Sequence, residues 1–251
     1  MRLSMLQFRS TLGAVDENFD HAARLIARAV DNRADVIVMP ELWSTGYYPT
    51  PIENYADVDG QRTKKFLSGS ARNGGVNIVG GTVIVRDGDR FFNRNYVFDR
   101  EGQLRTEYDK THLFSMAGEE KIFTAGARLT SFDLDGVKCS TIVCYDIRFP
   151  ELSRRLALDG VEILFVAAAW SLRRLEHWQL INRVRAIENQ MFVCAVNSAG
   201  HSMMIDPWGE VLIEGGAEES VLTVEIELER IKKIRSAMKI FADRHSDLDH
   251  V

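Results

Sequence analysis

The sequence of 251 residues lacks the features that mark several large classes of protein. It has only three cysteines and no Asn-x-Ser/Thr signal, so nothing indicates a secreted, disulfide-stabilised protein. Its longest apolar run, from Ile163 to Trp170, is too short to cross a bilayer. The first eight residues alternate apolar and polar positions, which predicts a strand and not a signal peptide. We therefore expect a cytoplasmic protein without a membrane partner.

The sequence also lacks the basic excess that is typical of proteins that bind nucleic acid. Its 31 Lys and Arg residues are outnumbered by 36 Asp and Glu residues, which gives a formal net charge of −5. This balance predicts no nucleic-acid partner and favours a small-molecule ligand. Because no phosphate-binding glycine loop, Gly-x-Ser-x-Gly or His-Glu-x-x-His sequence occurs, we expect neither an organic cofactor nor a metal.

Hydrophobic residues make up 45% of the chain, enough to bury one sizeable core. Strands and helices alternate around Glu41 and around Cys144, whereas tight turns join the strands between residues 76 and 98. These patterns predict an α/β protein with mixed sheets and helices packed outside, in one domain of residues 1–251. Residues 239–251 are predicted to form an exposed tail.

Two helices are predicted in detail. Asp16 is the predicted N-cap of the first, which should bury Phe19, Ala22, Ile26 and Ala29 on one face. A long helix over residues 175–190 carries an apolar stripe through three positions. They are Leu180, Val184 and Ile187.

Cys144 ends a β-branched run, Val137–Val143, and is followed by polar residues and Pro150. The pattern predicts a buried strand that presents a thiol at its carboxyl end, where open α/β sheets place reactive groups. Backbone N–H groups of the following turn would favour the thiolate. The alternative is a small buried hydrophobic residue, which is our interpretation of Cys139 and Cys194 inside predicted strands.

Two further predicted strands end at ionisable residues, Glu41 and Lys110. Taken singly, each is consistent with an ordinary surface charge. Together with Cys144 they supply a base, a cation and a nucleophile. A thiol is mostly protonated at neutral pH and needs a base to attack, while an ammonium stabilises the anionic intermediate and lowers the thiol pKa.

Three segments resemble the signature segments of the nitrilase superfamily, the carbon–nitrogen hydrolases. They are Pro40–Trp43, Tyr108–Phe114 and Cys144–Glu151. The supporting matches are His177-Trp178, Arg185–Gln190 and His201–Gly209. The resemblance covers essentially the whole chain, with the segments in the same order.

The resemblance implies a four-layer α-β-β-α sandwich that forms a homodimer or a higher homo-oligomer through the helices near the nucleophile, without metal or organic cofactor. Glu41 would be the general base, Lys110 the oxyanion stabiliser and Cys144 the nucleophile that attacks an amide carbonyl. Glu119 matches a second glutamate of the family, and the backbone N–H of Tyr145 would be another oxyanion donor. A thioester intermediate would then be hydrolysed by water.

The segments around Cys144 and Arg185 look most like the ω-amidase and deaminated-glutathione-amidase branch, which implies a small dicarboxylic acid monoamide as substrate. Arg173, and next Arg148, would hold the substrate carboxylate. Pocket walls are expected from Tyr47, Trp170 and His177. The alternatives are an N-carbamoyl or aliphatic amidase, a Cys–His hydrolase that uses His177, and a catalytically silent scaffold.

The chain departs from the family pattern at two places. Asn197-Ser198-Ala199-Gly200 runs directly into His201, where family members usually carry several more residues, so a wall of the active site should be shorter. Near the end, Met238-Lys239-Ile240 replaces a proline-containing approach to the tail.

Overall fold

The computed structural model describes residues 1–245, so the last part of the predicted tail, residues 246–251, lies outside the described residues. The strands are β1 (Arg2–Gln7), β2 (Val36–Val38), β3 (Asp57–Val58), β4 (Asn77–Asp87), β5 (Arg90–Phe98), β6 (Leu104–Asp109), β7 (Ser131–Leu134), β8 (Val137–Val143), β9 (Ile163–Ala168), β10 (Phe192–Asn197), β11 (Met203–Ile205), β12 (Val211–Glu214) and β13 (Ser220–Glu225). The α-helices are α1 (Val15–Asp31), α2 (Gln61–Gly74), α3 (Pro150–Leu158), α4 (Leu175–Asn189) and α5 (Glu229–Ala237).

The strands form two mixed sheets, as predicted. One has the order β13-β1-β2-β4-β5-β6, with β3 paired to β4, and the other has the order β12-β11-β10-β9-β8-β7. The pairs β1–β2, β2–β4, β8–β9 and β9–β10 are parallel, whereas the predicted hairpin β4–β5 and the hairpin β7–β8 are antiparallel. The parallel strands of each sheet therefore end at one edge.

Alternating strand residues divide the core into layers. Ile163 and Phe165 of β9 join the cluster between the sheets, whereas Leu164 and Val166 join the cluster under α3 and α4. A third cluster packs α1 and α2 on the outer face of the other sheet. The result is the expected α-β-β-α sandwich. Over residues 1–245, none of the helices combines the length and apolar character that crossing a membrane requires.

Helix α1 buries Phe19, Ala22, Ile26 and Ala29, which confirms the predicted face. The predicted cap is wrong, because the helix begins at Val15 and Ala14 occupies the N-cap position. Asp16 instead lies in the first turn, where a carboxylate interacts favourably with the helix dipole.

Helix α4 places its predicted apolar stripe on the outside. Leu180, Val184 and Ile187 are 51%, 44% and 44% exposed, respectively. The buried face instead carries Trp178 and Ala186 together with polar side chains such as those of Asn182 and Arg185. A second apolar face turned to solvent on such a helix is typical of a surface that another molecule covers.

The prediction of an exposed tail is wrong at Phe241. This side chain is half-buried against the cluster under α3 and α4. The guanidinium carbons of Arg154 and Arg235 lie 5.7 and 5.1 Å from its ring centroid. Two cation–π contacts therefore hold the start of the tail on the body of the protein.

Candidate active site

Glu41, Lys110 and Cys144 come together at one edge of the sandwich. Lys110 and Cys144 directly follow β6 and β8, and Glu41 follows β2 by three residues. The Nζ atom of Lys110 lies 2.8 Å from Oε1 of Glu41. Glu41 and Cys144 both line a cavity of about 400 Å³. The structure thus brings the predicted base, cation and nucleophile into one site.

The turn that carries Cys144 is held in an uncommon conformation. A short 3₁₀-helix, Cys144–Arg148, begins directly after β8, and Cys144 has a φ of +46°. Positive φ is rare for a residue with a side chain and often marks a functional position. Helix α3 then begins at Pro150, where the missing N–H of proline costs no hydrogen bond, but the 3₁₀ turn before it was not predicted.

Asp146 joins the cysteine turn to the segment that carries Lys110. Its fully buried carboxylate accepts hydrogen bonds from the hydroxyls of Tyr108 and Thr111 at 2.7 and 2.8 Å. It also accepts the backbone N–H of Val143 at 3.0 Å. Sequence reasoning missed this role, because two of the partners of Asp146, Thr111 and Tyr108, lie 35 and 38 residues before it in the chain.

The carboxylate of Glu41 is fixed from three sides. Oε1 accepts from Lys110 at 2.8 Å and from the side-chain amide of Asn93 at 2.9 Å. Oε2 accepts the backbone N–H of Ala169 at 2.8 Å. The side chain is excluded from bulk solvent, so these groups replace its hydration. Asn93, in the middle of β5, gave no signal in the sequence.

Glu119 binds the same ammonium from the opposite side. Its carboxylate lies 2.9 Å from Nζ of Lys110 and accepts the N–H of Phe114 at 2.8 Å. The hydroxyl of Tyr47 donates to it at 2.9 Å. Glu119 is fully buried, whereas the neighbouring Glu120 is exposed. Burial, and next the charge of Glu41, raise the pKa of Glu119.

Together, burial and the charges of the site shift the pKa values of Lys110 and Cys144 upward. Burial acts to lower the pKa of Lys110, but the charges around it, with Glu41 first, raise the pKa instead. Burial, and next Glu41, raise the pKa of Cys144 well above its usual value, although Lys110 acts to lower it. The expectation of a lowered thiol pKa is therefore wrong. Cys139 and Cys194 are fully buried in β8 and β10, as predicted.

Several predicted binding residues line the cavity. Tyr47, Tyr145, Arg148 and Trp170 do so, and the guanidinium carbon of Arg148 lies 4.6 Å from the centroid of the Trp170 ring. This stacking presents a planar cation at the cavity wall.

Two other predictions are corrected by the structure. Arg173 is exposed and does not line the cavity, whereas the next residue, Arg174, does, with its guanidinium carbon 5.3 Å from the centroid of the Phe114 ring. His177 is also exposed and outside the cavity lining, and its Nδ1 lies 3.3 Å from an Arg148 nitrogen. It is therefore not placed to act as the base of a Cys–His hydrolase.

Arg9 is a further cavity residue that sequence reasoning missed. It follows β1 by two residues, and its guanidinium donates to the carbonyl oxygen of Ala199 at 3.0 Å. The charged side chains that line the cavity are thus Arg9, Arg148, Arg174 and Glu41. Because three guanidinium groups outnumber the one carboxylate, this lining attracts an anionic ligand.

Within residues 1–245, no group of three or more His, Cys, Asp and Glu side chains is arranged to hold a metal ion. The predicted absence of metal and cofactor stays a prediction.

Comparison with known proteins agrees with this geometry. The carbon-nitrogen hydrolase family model matches residues 2–236. The 2-oxoglutaramate amidase of Bacillus subtilis (strain 168) is 43% identical over 255 residues, covering 98% of each chain. Omega-amidase NIT2 of Mus musculus is 30% identical over 266 residues, covering 98% of this chain and 96% of the mouse protein.

A solved structure shares the fold. Saccharomyces cerevisiae Nit3, a member of branch 10 of the nitrilase superfamily, matches with a TM-score of 0.91 and 26% identity. The match covers 98% of this chain and 96% of the yeast chain. The resemblance predicted from the three motifs is therefore confirmed, and the chain belongs to the carbon-nitrogen hydrolase family.

Proposed function

We propose that the chain hydrolyses the terminal amide of a small dicarboxylic acid monoamide and releases ammonia. One observation carries this proposal: Cys144 and Glu41 face a cavity of about 400 Å³ whose other charged lining residues are all arginines. An amide at one end of the substrate would meet the thiol, and a carboxylate at the other would meet a guanidinium. The names of the two relatives, a 2-oxoglutaramate amidase and an omega-amidase, support this substrate class.

Acylation begins with transfer of the Cys144 proton to Glu41. The raised pKa of the thiol makes this transfer necessary, because little thiolate exists before substrate binds. The sulfur attacks the amide carbon, and the ammonium of Lys110 with the backbone N–H of Tyr145 stabilises the oxyanion. Protonated Glu41 then gives its proton to the leaving nitrogen, ammonia departs, and a thioester remains on Cys144.

Deacylation reverses these roles with water as the nucleophile. Glu41 takes a proton from water, and the resulting hydroxide attacks the thioester carbon. The C–S bond breaks, the carboxylic acid product leaves, and Cys144 regains its proton from Glu41. Glu119 does not meet the substrate in this scheme. It holds the ammonium of Lys110 in place through their 2.9 Å contact.

The substrate carboxylate is assigned to Arg148 and Arg174, which stack on the aromatic rings of Trp170 and Phe114. Stacking uses the face of each guanidinium, and the nitrogens at its edge are the atoms that make a bidentate contact with a carboxylate. A site built for a charged group rejects analogues that lack it, because the guanidinium would stay desolvated and unpaired. Neutral aliphatic amides should therefore be poor substrates.

The test compares kcat/KM for succinamate and butyramide by ammonia release. We expect a preference for succinamate of at least about 100-fold and no turnover of nitriles. A preference for butyramide would favour the aliphatic amidase, and faster release from ureides would favour the N-carbamoyl amidase. Cys144→Ala should remove all turnover, with Cys194→Ala as the matched control. Absence of turnover in the wild type over all these substrates would favour the silent scaffold.

We also propose a homodimer, formed through the exposed stripe on α4. Leu180, Val184 and Ile187 form this stripe, and Leu158 of the neighbouring α3 is 43% exposed. Burying these side chains against a second copy would remove apolar surface from water.

The single domain of residues 1–251 and the cytoplasmic location remain parts of the proposal. The first is supported by the family match over residues 2–236. The second is supported by the three cysteines, which are all free thiols. Cell fractionation tests the location, and a single cooperative unfolding transition tests the domain.

A further inference from the structure

Asn197 is a fully buried polar residue at the edge of the sheet where the site lies. It is the last residue of β10 and pairs with Ala168, the last residue of the parallel strand β9. The chain after β9 and the chain after β10 both line the catalytic cavity, through Trp170 and Ala199. We call these two segments the Trp170 wall and the Ala199 wall of the cavity, and Asn197 lies where both begin.

The side chain of Asn197 is bound to both walls. Its Oδ1 accepts the N–H of Trp170 at 2.7 Å and the N–H of Ala199 at 3.3 Å. Its Nδ2 donates to the carbonyl oxygens of Trp170 and Gly200 at 3.1 and 2.8 Å. These four contacts use both donors and both acceptor positions of the amide. A carboxylate of the same shape cannot donate to the two carbonyls, and a hydroxyl side chain is too short to reach both walls.

Each wall contacts one of the arginines that line the cavity. The ring of Trp170 supports the guanidinium of Arg148 at 4.6 Å. The carbonyl of Ala199 accepts the hydrogen bond from Arg9 at 3.0 Å. A single amide thus binds both segments that these two cations contact.

The same wall touches the proposed base. Ala169, which precedes Trp170, donates its N–H to Oε2 of Glu41 at 2.8 Å. The N–H and C=O of Trp170 belong to the two peptide groups that follow the one that binds this carboxylate, so Asn197 restrains the chain next to Glu41. Loss of Asn197 should therefore lower kcat/KM for any amide, and it should lower kcat/KM more for an amide that bears a carboxylate.

We propose that Asn197 is a positioning residue that sets specificity for carboxylate-bearing amides by holding the Trp170 and Ala199 walls at a fixed separation. This inference rests on the proposed function, since it assumes that Arg148 and Arg174, which both contact Trp170, recognise a carboxylate. The measured quantity is the ratio of kcat/KM for succinamate to kcat/KM for butyramide. That ratio does not depend on the fraction of folded enzyme, so a purely structural defect leaves it unchanged.

Asn197→Ala should lower the ratio by at least about tenfold, because butyramide makes no use of the arginines. The matched control is Asn77→Ala. Asn77 is 1% exposed and makes three side-chain hydrogen bonds, but it starts β4 at the opposite end of the parallel strands. This control should lose stability and keep the ratio within about threefold of the wild type.

The outcomes separate the inference from the proposed function. A wild-type ratio near one overturns the proposed function, and the inference with it. A high wild-type ratio that Asn197→Ala leaves unchanged, or that Asn77→Ala lowers equally, overturns the inference alone. If the alanine variant does not fold, Asn197→Ser is measured, and the same fall is expected. If neither folds while Asn77→Ala does, Asn197 serves the fold as a whole and the inference is overturned.

Discussion

The ammonium nitrogen of Lys110 lies 2.9 Å from a carboxylate oxygen of Glu119, and neither side chain is open to solvent. A buried cation needs charge balance and hydrogen bonds to replace its hydration. Glu41 provides part of both, but Glu41 must also exchange a proton during the proposed reaction. Glu119 provides a negative charge that stays constant through the reaction, so it keeps Lys110 in position while the charge on Glu41 varies.

Glu119→Gln should therefore lower kcat by at least about tenfold with a smaller change in KM. The amide keeps the size of the side chain but removes the fixed negative charge beside Lys110. Glu120→Gln is the matched control, since Glu120 is the adjacent residue and is exposed. Steady-state kinetics on both variants test the prediction. Equal effects of the two substitutions would show that Glu119 has no special role.

Glu41 and Lys110 should behave as one unit. Glu41→Gln and Lys110→Met should each lower kcat by about 100-fold or more, which corresponds to roughly 3 kcal/mol of barrier. Their 2.8 Å contact means that each substitution also disorders the other residue. The double variant should therefore lose much less than the product of the single losses. Multiplicative losses, or a loss below tenfold in either single variant, would argue against the shared role.

Alkylation of Cys144 should rise with pH into the alkaline range. Burial and the charge of Glu41 raise the pKa of this thiol, so the protonated form persists at pH values where an ordinary thiol is ionised. Iodoacetamide should thus label it slowly at neutral pH. Peptide mass spectrometry of labelled protein gives the rate at each pH, with Cys144→Ala to identify the peptide. A rate that levels off near pH 8 would contradict the raised pKa.

The sequence predicted those parts of the site that a local pattern encodes. Glu41, Lys110 and Cys144 each follow a recognisable strand, and the three motifs that contain them predicted that they meet, although β2 and β6 belong to one sheet and β8 to the other. Asp146 and Asn197 could not be predicted in this way, because their hydrogen bonds join segments that are distant in the chain. Nothing in the composition around them differs from an ordinary turn or strand end.

The errors have equally local causes. Which of the adjacent arginines at positions 173 and 174 faces the cavity depends on the rotation of a 3₁₀-helix of only three residues. Such a short helix shows no periodic pattern in the sequence that would predict this rotation. On α4 the apolar stripe was visible in the sequence, but periodicity alone does not tell whether such a stripe faces the core or a partner. The burial of Asn182 and Arg185 on the opposite face was needed to decide.

Val184→Glu should dissociate the proposed dimer. Val184 is 44% exposed in the middle of the α4 stripe, where a carboxylate buried against a second copy would lack a counter-charge. Val58→Glu is the matched control, because Val58 has 46% exposure on β3 in the other sheet. Sedimentation velocity should give a dimer for the wild type and Val58→Glu, and a monomer for Val184→Glu. A wild-type monomer, or dissociation of both variants, would refute the assignment.

Arg174→Gln should reduce kcat/KM for succinamate by about tenfold or more and change that for butyramide by less than about threefold. The guanidinium lies against the Phe114 ring at the cavity, so its loss removes a contact with the substrate carboxylate. The backbone carbonyl of Arg174, which accepts the indole N–H of Trp170 at 2.9 Å, is kept in the variant, so the Trp170 wall should stay in place.

Arg173→Gln is the matched control for this prediction, because it removes the same charge one residue away, from a side chain outside the cavity lining. Any effect of net charge on the approach of an anionic substrate should be equal in the two variants, and it should fade as salt is added. The direct contact should persist at high salt in Arg174→Gln alone. If Arg173→Gln instead gives the larger, salt-resistant loss, the carboxylate binds where the sequence first suggested, and the cavity wall must rearrange around the substrate.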